Sequence, residues 1–395
     1  MNRLFTVLGL AFLGLTAANC NKDDGNGGNE NVILRDRKEV RDENAKQIEE
    51  FLAKNYLIIE GDNIRFDSIS NPNKPNPNVV PLKDDKRIKI EQQIITSDNY
   101  EYEAVRNPNG TTSLKFSKPK DELEYTIAYF IVPDADGNKQ EGKGDYISTI
   151  DSVYVKTKAF SLKNDFFLPN DKENGIGTYY SFPITLQEFA LMSQGNYGLI
   201  PAQLKTAERQ LLTKVKTATG IQLGGDGKYI YEKGSAGRII AFIPSGVGYF
   251  NAGFGSKLKA YQPHIIDMTL VAKKERDHDG DGILSKYEAK QVIEKSSELG
   301  RALTDDEIRA LKLTIKDYFD FDTDGDGVPN FLDDDDDGDG VLTKTELQYK
   351  DKNNKKAYYQ YYDPILKTCS NVFRYLDRSC FPDQKDGEVI WPTKK

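Results

Sequence analysis

A twelve-residue pattern of acidic residues and glycine occurs three times between residues 277 and 346. In the first copy, loop 1, aspartate stands at positions 1, 3 and 5, glycine at position 6 and glutamate at position 12. This spacing wraps carboxylates around one point, and calcium is a hard cation that takes about six to eight oxygen ligands. The sequence therefore predicts a calcium site with the ligands Asp277, Asp279, Asp281, the backbone carbonyl of Ile283, Ser285 and both side-chain oxygens of Glu288.

The second and third copies, loops 2 and 3, are separated only by Asp334. Loop 3 repeats the pattern in full, with the predicted ligands Asp335, Asp337, Asp339, Val341, Thr343 and Glu346. Loop 2 ends in aspartate and has Pro329 at position 8, with the predicted ligands Asp322, Asp324, Asp326, Val328, Asn330 and Asp333. The alternative is a solvated acidic loop. However, nine aspartates between residues 322 and 339, with no basic residue among them, repel one another unless cations fill the cluster.

Loop 1 is similar to an EF-hand, because the helix predicted from Lys286 to Leu299 supplies the exit that such a motif needs. A second helix is predicted from Asp305 to Phe319, and Thr304 with Glu307 forms a capping box at its start. No exiting helix fits between loops 2 and 3, so that pair resembles the tandem aspartate repeats of thrombospondin type 3 segments. We expect the calcium to have a constitutive structural role rather than to act as a switch.

The N-terminus has the features of a targeting segment. Arg3 supplies a short basic region, and an apolar run from Leu4 to Leu15 is too short to span a bilayer comfortably. Cys20 follows this run and resembles the acylated cysteine of bacterial lipoproteins, which implies a signal peptide at residues 1–19. An uncleaved membrane anchor or a plain signal peptide is the alternative.

Residues 20–31 are rich in glycine and asparagine, which predicts a flexible tether. Within it, Lys22-Asp23-Asp24 resembles the surface-export signal of lipoproteins in the Bacteroidota. The resemblance implies an outer-membrane lipoprotein, held by its N-terminal lipid, at the cell surface; the periplasmic face is the alternative. In such an oxidising compartment Cys369 and Cys380 could form a disulfide, worth about 3 kcal/mol, or stay as two buried thiols.

The middle of the chain alternates strand-like and helical patterns. The strand-like runs are 57–59, 88–95, 125–132, 150–155, 229–231, 238–243 and 264–271. Helical patterns cover 34–54, with Val40, Ala45, Ile48, Phe51 and Leu52 on its apolar face, and 202–216. Together they predict an α+β fold with an antiparallel sheet. The chain has a net charge of −8, and its basic residues form no stripe along the sequence. This excludes nucleic acid as a partner.

One strand-like run continues into Ile243-Pro244-Ser245 and then reaches Tyr249. The stretch from Gly234 to Tyr249 resembles the FK506-binding protein (FKBP) family of peptidyl-prolyl isomerases. The segments 152–160 and 261–270 resemble two further strands of that family. The resemblance covers residues 122–274 and implies an antiparallel sheet wrapped on a helix. The remaining predicted units are an N-terminal α/β region at 32–121 whose role the sequence does not indicate, calcium loops and helices at 275–350, and a C-terminal segment at 351–395.

The resemblance implies an apolar pocket that lowers the barrier to rotation about an X-Pro amide, which is about 18–20 kcal/mol without a catalyst. The pocket residues carried over from the family are Tyr249, Phe167, Leu199, Ile200 and, at the closing-strand aromatic position, Ile266. The chain departs from the family pattern at Thr157, Leu168 and Gln203. For Tyr249 and Phe167 the alternative is a purely structural place in the core.

The family resemblance implies an isomerase or folding factor of the cell envelope, acting on proline-containing segments of exported proteins. The altered pocket leaves two alternatives open. One is a non-catalytic FKBP-like module that binds a partner at the cell surface. The other is a structural subunit of an outer-membrane assembly, rigidified by calcium.

Overall fold

The computed structural model describes residues 34–70, 79–96, 101–106, 112–117, 123–134, 136–164, 166–168, 176–180, 204–225, 229–385 and 388–392. The predicted signal peptide, Cys20 and the tether lie outside these residues. The described helices are α1 Arg37–Lys54, α2 Thr206–Leu212, α3 Lys290–Leu299, α4 Asp305–Ala310, α5 Ile315–Phe319 and α6 Thr343–Glu346. The described strands are β1 Asn55–Glu60, β2 Asn63–Ser68, β3 Glu91–Thr96, β4 Glu101–Arg106, β5 Thr112–Ser117, β6 Glu124–Ile131, β7 Ser152–Ser161, β8 Phe166–Leu168, β9 Ile176–Tyr180, β10 Gln222–Leu223, β11 Tyr229–Ile230, β12 Gly237–Ile243, β13 His264–Lys274, β14 Gln348–Lys350, β15 Lys356–Tyr358, β16 Asp383–Lys385 and β17 Glu388–Ile390.

An antiparallel sheet is the main structural element of the first two thirds of the chain. Among the described strands, seven belong to it, in the order β3-β6-β12-β13-β7-β8, with β9 also paired to β7. Every pairing in this sheet is antiparallel, and β12 lies against β13 from Gly237 opposite Leu270 to Ile243 opposite His264. The predicted α+β class and antiparallel sheet are confirmed.

Both faces of this sheet are covered, which explains why β12 is buried at every position. Side chains alternate along a strand, so Ile239, Ala241 and Ile243 point to one face and Ile240 and Phe242 to the other. The first face packs on α2 through the fully buried residues Ala207, Leu211 and Leu212. The sheet therefore wraps on a helix, as expected from the family resemblance.

The second face packs on α1 and the β1–β2 hairpin. Phe51 of α1 lies 5.6 Å from Phe66 and 5.8 Å from Phe242, measured between ring centroids, and Phe66 lies 5.9 Å from Phe160. Tilted and edge-on ring pairs of this kind add about 0.5–1.5 kcal/mol each to the burial of their area. This aromatic cluster joins the N-terminal region to the sheet.

A buried ion pair also ties the sheet to the hairpin. Arg238 donates from Nε to Asp267 Oδ1 at 2.9 Å and from a terminal nitrogen to Asp267 Oδ2 at 2.6 Å. A terminal nitrogen of the same guanidinium donates to the carbonyl of Asp62, between β1 and β2, at 3.0 Å. The two-point geometry satisfies both charges in a site where an unpaired charge would be costly.

The C-terminal third forms a helical tail whose core reaches into the sheet domain. Its first apolar cluster contains residues of α3, α4 and α5 and, from the sheet domain, the fully buried Ile150. Lys273 of β13 donates to the carbonyl of Tyr146 at 3.1 Å and is paired with Asp305 of α4. Apolar packing and an ion pair therefore both join the tail to the sheet.

The two predicted tail helices are shorter than the pattern indicated. The first begins at Lys290, not Lys286, because Ser285–Tyr287 forms a separate 3₁₀ turn that ends at Glu288. The second is divided, since Lys312 has a φ of 55° and Thr314 begins a new helix. The capping box of Thr304 and Glu307 is confirmed, with the Thr304 N–H donating to Glu307 Oε2 at 2.8 Å.

The C-terminal segment packs on loop 1 and loop 3. A second tail cluster contains Ile283, Leu347, Tyr361 and Tyr375, all at most 5 % exposed. The Tyr375 hydroxyl donates to the Tyr361 carbonyl at 2.9 Å. In the structure Cys369 and Cys380 form a disulfide, with their Cα atoms 5.5 Å apart. The segment after residue 350 is thus part of the same packed body as the loops.

Candidate metal centre and isomerase pocket

The carboxylates at positions 1, 3 and 5 converge in each of the three loops. One oxygen from each lies within 4.8 Å of the other two in the sets Asp277-Asp279-Asp281, Asp322-Asp324-Asp326 and Asp335-Asp337-Asp339. The glycines at positions 4 and 6 allow these sharp turns, because they have positive φ angles that disfavour other residues. In loop 1, for example, Gly280 has a φ of 84° and Gly282 one of 103°.

Backbone N–H groups orient the carboxylates of loop 1. Asp281 N–H donates to Asp279 Oδ1 at 3.1 Å, and Ile283 N–H donates to Asp281 Oδ1 at 2.7 Å. The second oxygens, Asp279 Oδ2 and Asp281 Oδ2, are buried and have no hydrogen-bond partner among the described residues. Loop 3 repeats this arrangement at Asp337 and Asp339. At positions 3 and 5 of both loops, one carboxylate oxygen accepts a backbone N–H and the other remains available to a cation.

Position 12 of loops 1 and 3 holds a buried glutamate. Glu288 and Glu346 are at most 1 % exposed, and both oxygens of each lack a hydrogen-bond partner within the described part of the chain. Burial, followed by the charges of Asp279 and Asp281, raises the pKa of Glu288 well above its usual range. Burial, followed by the charge of Asp337, raises the pKa of Glu346 to about 9. Without a cation these side chains would have to be protonated.

Asp333 stands at position 12 of loop 2, where the sequence predicts a ligand. Burial, helped by the charges of Asp326 and Asp324, raises the pKa of Asp333 to about 7, and the hydrogen bond that Asp333 accepts from the Asp335 N–H opposes this rise. Asp324 also touches loop 3, since a Cβ added to Gly338 would lie 2.2 Å from Asp324 Oδ2. Loops 2 and 3 therefore pack directly on each other.

The side chains at position 9 have partners inside their own loops. The N–H of position 2 donates to the position 9 side chain in each loop: His278 to Ser285 at 3.1 Å, Thr323 to Asn330 at 2.9 Å and Asp336 to Thr343 at 3.2 Å. These bonds close the loops. The assignment of Ser285, Asn330 and Thr343 as direct ligands, and of the carbonyls of Ile283, Val328 and Val341, remains a prediction.

The pattern missed one carboxylate. Asp336 stands at position 2 of loop 3, where the motif demands no particular residue, yet one of its oxygens lies within 4.8 Å of oxygens of Asp281 and Glu288. It is 3 % exposed. Only the folded arrangement brings loop 3 against loop 1, so no local spacing in the sequence could have identified it.

The donor set as a whole fits a hard divalent cation. It consists of carboxylate oxygens, with several of them buried and unpartnered in the described chain, and contains no thiolate. A buried charge without a partner is expensive, so a cation at the centre of each loop would remove that cost. Glu288, Glu346 and Asp333 would complete the coordination begun by the aspartates at positions 1, 3 and 5.

Of the predicted isomerase pocket, the structure brings Tyr249 and Ile266 to one place. Ile266 is 1 % exposed in the cluster between the sheet and α2, and the partly buried Tyr249 packs against that cluster. The Tyr249 ring lies 5.2 Å from the ring of His264, and the ammonium of Lys205 lies 5.3 Å from its centroid. Burial lowers the pKa of His264 to about 3, which keeps this neighbour uncharged.

The other pocket residues are only partly described. Phe167 lies in β8, which pairs with β7, but its side chain is outside the described residues, and Leu199, Ile200 and Gln203 also lie outside them. Thr157 is 9 % exposed in β7, with its hydroxyl lacking a partner among the described groups. A cavity of about 300 Å³ lies elsewhere, between α1 and the ends of β7 and β13, and Tyr249 does not line it.

A buried asparagine of α1 fixes the turn that carries Tyr249. Asn44 is fully buried; its Oδ1 accepts the Ser245 N–H at 2.7 Å, and its Nδ2 donates to the Tyr261 carbonyl at 2.9 Å. Arg37 adds a hydrogen bond to the Gly246 carbonyl at 3.3 Å. The predicted apolar face had Ala45 in this place, but Ala45 is exposed. The N-terminal region therefore supports the candidate pocket.

Comparison with known proteins gives one family match and several structural ones. A family model described as BamM C-terminal matches residues 278–372, which lie entirely in the tail. A search of curated protein sequences finds no match. Among the described residues, no helix has the length and apolar character needed to cross a membrane.

The solved structures with matches include isomerases of the FKBP type. A peptidyl-prolyl cis-trans isomerase from Pseudomonas syringae pv. tomato is 13% identical, over 38% of this chain and 76% of that chain, with a TM-score of 0.23. FkpA from Escherichia coli is 16% identical, over 38% of this chain and 48% of that chain, with a TM-score of 0.21. The FKBP domains of wheat FKBP73 are 14% identical, over 38% of this chain and 44% of that chain, with a TM-score of 0.23. The chain's own described elements show an antiparallel sheet packed on α2.

Proposed function

We propose that the chain is a cell-envelope protein whose FKBP-type domain binds, and isomerises, X-Pro segments of exported proteins, and whose tail is held in shape by calcium. The observation that carries the first part is the placement of Tyr249. It follows the Ile243-Pro244-Ser245 turn, and its ring packs on the apolar cluster that contains Ile266. An apolar wall next to a tyrosine hydroxyl suits a twisted amide, which has lost the charge separation of its resonance form.

An assay of cis-trans isomerisation on X-Pro peptides tests the catalytic part. We expect a rate above background, and Tyr249→Phe should lower kcat/KM about five- to tenfold, the effect of one lost hydrogen bond of roughly 1–1.5 kcal/mol. Tyr349→Phe is the matched control, because Tyr349 lies in β14, outside the sheet domain. A rate equal to background, unchanged by Tyr249→Phe, would remove the enzymatic version.

Binding without turnover is the alternative for the same pocket. The departures at Thr157, Leu168 and Gln203 favour it, because the family's pocket has other residues there. This version predicts that the chain binds a proline-containing peptide but neither FK506 nor rapamycin. Tight binding of either inhibitor, measured by calorimetry, would contradict it.

The calcium part rests on the buried carboxylate oxygens that have no partner in the described chain. Calorimetry of the full chain with millimolar Ca²⁺ should detect binding, and native mass spectrometry should count one ion for each loop. Magnesium should compete poorly, since it demands a smaller octahedral site. Absence of bound calcium under these conditions would refute the calcium-held tail and leave the sheet domain proposal untouched.

A second candidate function is a structural subunit of an outer-membrane assembly. It is favoured by the family match, which falls on the calcium tail and not on the sheet domain. Detergent extracts analysed on native gels test it. If the chain migrates in a larger complex, and deletion of residues after 274 releases it, the tail is the attachment point; migration as a single chain would argue against this role.

Export and lipidation remain proposals that depend on the N-terminal sequence. Cys20 would carry the lipid, and Lys22-Asp23-Asp24 would direct the protein to the cell surface. Labelling with a clickable fatty acid should mark the wild type and not Cys20→Ala. Protease added to intact cells should remove the wild-type protein, and should spare a variant with alanine at residues 22–24 if that segment directs surface export.

A further inference from the structure

The side chains of Asp281, Glu288 and Asp336 meet between loop 1 and loop 3. One oxygen from each lies within 4.8 Å of the other two. Asp281 and Glu288 belong to the motif of loop 1, but Asp336 is 48 residues beyond Glu288 and belongs to loop 3. Its backbone N–H is fixed by the Thr343 hydroxyl, which closes loop 3, while its side chain reaches loop 1.

Burial makes this meeting more than an accidental cluster of acids. The three residues are 1 %, 1 % and 3 % exposed. Asp281 Oδ2, both oxygens of Glu288 and Asp336 Oδ1 have no hydrogen-bond partner within the described chain. Water does not solvate them and described protein groups do not satisfy them, so their mutual repulsion needs a positive charge among them.

A further contact holds the two loops in this relation. Lys344 of loop 3 donates from its ammonium to the Gly280 carbonyl of loop 1 at 2.8 Å. The Lys344 ammonium bonds at an exposed position to this backbone oxygen and not to a carboxylate. It therefore docks loop 3 on loop 1 without replacing a cation.

We propose that Asp336 is a ligand of the loop 1 cation, so that one calcium ion joins loop 1 to loop 3. This rests on the proposed calcium-held tail. Asp277, Asp279 and Asp281, the Ile283 carbonyl and a bidentate Glu288 supply six oxygens, and calcium takes about six to eight. The Ser285 hydroxyl, the motif's remaining ligand, is held by both the backbone N–H and the ring Nδ1 of His278, and Asp336 offers the seventh oxygen in its place.

The consequence is cooperative binding. Loop 1 cannot complete its coordination until loop 3 has folded and docked, and loop 3 docks against a site of opposite charge only when the loop 1 ion is present. Binding at the two loops is then coupled in both directions, because linkage between sites is reciprocal. Neither loop alone resembles a self-sufficient EF-hand in this respect.

Substitution of Asp336 in the full chain tests the proposal. In calorimetry, Asp336→Asn should lower the affinity for one calcium ion about tenfold or more, because the substitution removes a charged ligand. Asp334→Asn is the matched control: it removes the same charge from the neighbouring, exposed residue and should leave all affinities unchanged. Equal affinities in both variants would overturn the proposal. Failure of the wild type to bind calcium at all would instead overturn the calcium-held tail.

Hydrogen exchange of the wild type provides a second readout if Asp336→Asn does not fold. As calcium is added, protection of amides in loop 1 and in loop 3 should rise with the same midpoint. Separate midpoints, with loop 1 protected while loop 3 still exchanges freely, would show that loop 1 is complete without Asp336. Either result decides the question without a variant.

Discussion

Removal of calcium should invert the pH dependence of the tail's stability. With no cation in the loops, the folded tail holds carboxyl groups that resist ionisation. Burial raises the pKa of Asp281 from 3.8 to about 7 and, together with the charge of Asp337, that of Glu346 to about 9. In the unfolded chain the same groups have ordinary values near 4. The folded apo tail therefore binds more protons than the unfolded one.

The direction and magnitude of the pH dependence of the tail's stability follow from this difference in bound protons. A raised folded-state pKa contributes stability below the unfolded value, and that contribution is lost as the pH rises through the folded value. For Asp281 this window is about pH 4 to 7. At about 1.36 kcal/mol for each unit of pKa, the loss for Asp281 alone is about 4 kcal/mol, a large share of the roughly 5–15 kcal/mol that holds a domain together. Calcium binds the ionised form, so with calcium present protons compete and stability rises with pH.

Urea unfolding followed by circular dichroism at pH 5, 6.5 and 8, in EDTA and in millimolar Ca²⁺, measures both slopes. Stability should fall with pH in EDTA and rise with pH in calcium. In EDTA, Asp281→Asn should flatten the slope, since its amide oxygen can still accept the Ile283 N–H but carries no charge. Asp334→Asn should not. A slope in EDTA that is flat or positive for the wild type would refute the argument that these carboxylates are buried without a partner.

Three further substitutions test the packing. Ile150→Ala should destabilise the tail by about 2–5 kcal/mol in urea unfolding, because it opens a cavity in the tail's core from the sheet side. Asp267→Asn should cost about 3–5 kcal/mol, since it leaves the Arg238 guanidinium buried with its charge unpaired. Cys380→Ser should lower the free energy of unfolding by about 3 kcal/mol through loss of the short loop closed with Cys369, and dithiothreitol should reproduce the effect on the wild type.

A matched substitution at the surface distinguishes these effects from nonspecific destabilisation. Glu60→Gln breaks the exposed pair with Arg65 and should cost no more than about 1 kcal/mol. A similarly small effect for Asp267→Asn would mean that water reaches Arg238. No effect of Ile150→Ala on the tail transition would mean that the sheet and the tail are joined elsewhere.

Features specified by neighbouring residues could be predicted from the sequence. The loops show this best, because Asp at positions 1, 3 and 5 with Gly at 6 needs only local backbone geometry to converge. The capping box of Thr304 and Glu307 was equally local. Strands β6, β12 and β13 were found near their observed bounds, since each is a run of buried apolar residues between turns.

Features created by contacts distant in sequence could not be predicted. Asn44 occupies the buried face of α1 because it hydrogen-bonds to Ser245 and Tyr261. These partners lie 201 and 217 residues away in the sequence, so no local pattern indicates them. The apolar periodicity of an amphipathic helix favours Ala45 at this place, because that periodicity considers only apolar side chains. It takes no account of polar groups on another element that could hydrogen-bond to Asn44. Asp336 was missed for the same reason: position 2 of a loop has no role until a second loop packs against it.

The position of Ile150 at the contact between tail and sheet domain indicates how far unfolding caused by loss of calcium can extend. If the tail unfolds, the sheet domain loses its cover over one fully buried isoleucine, the buried hydrogen bond between the Ser148 and Tyr318 hydroxyls, and the ion pair of Lys273 with Asp305. Exposing the isoleucine costs about 1.5–3 kcal/mol, the hydrogen bond adds about 1 kcal/mol, and a partly exposed ion pair adds about 1 kcal/mol or less. That sum is smaller than the stability of an ordinary domain, and the two large clusters on the faces of the sheet contain no tail residue. Chelation should therefore weaken the sheet domain without unfolding it, so that a pocket at Tyr249 would survive the loss of the calcium-held tail.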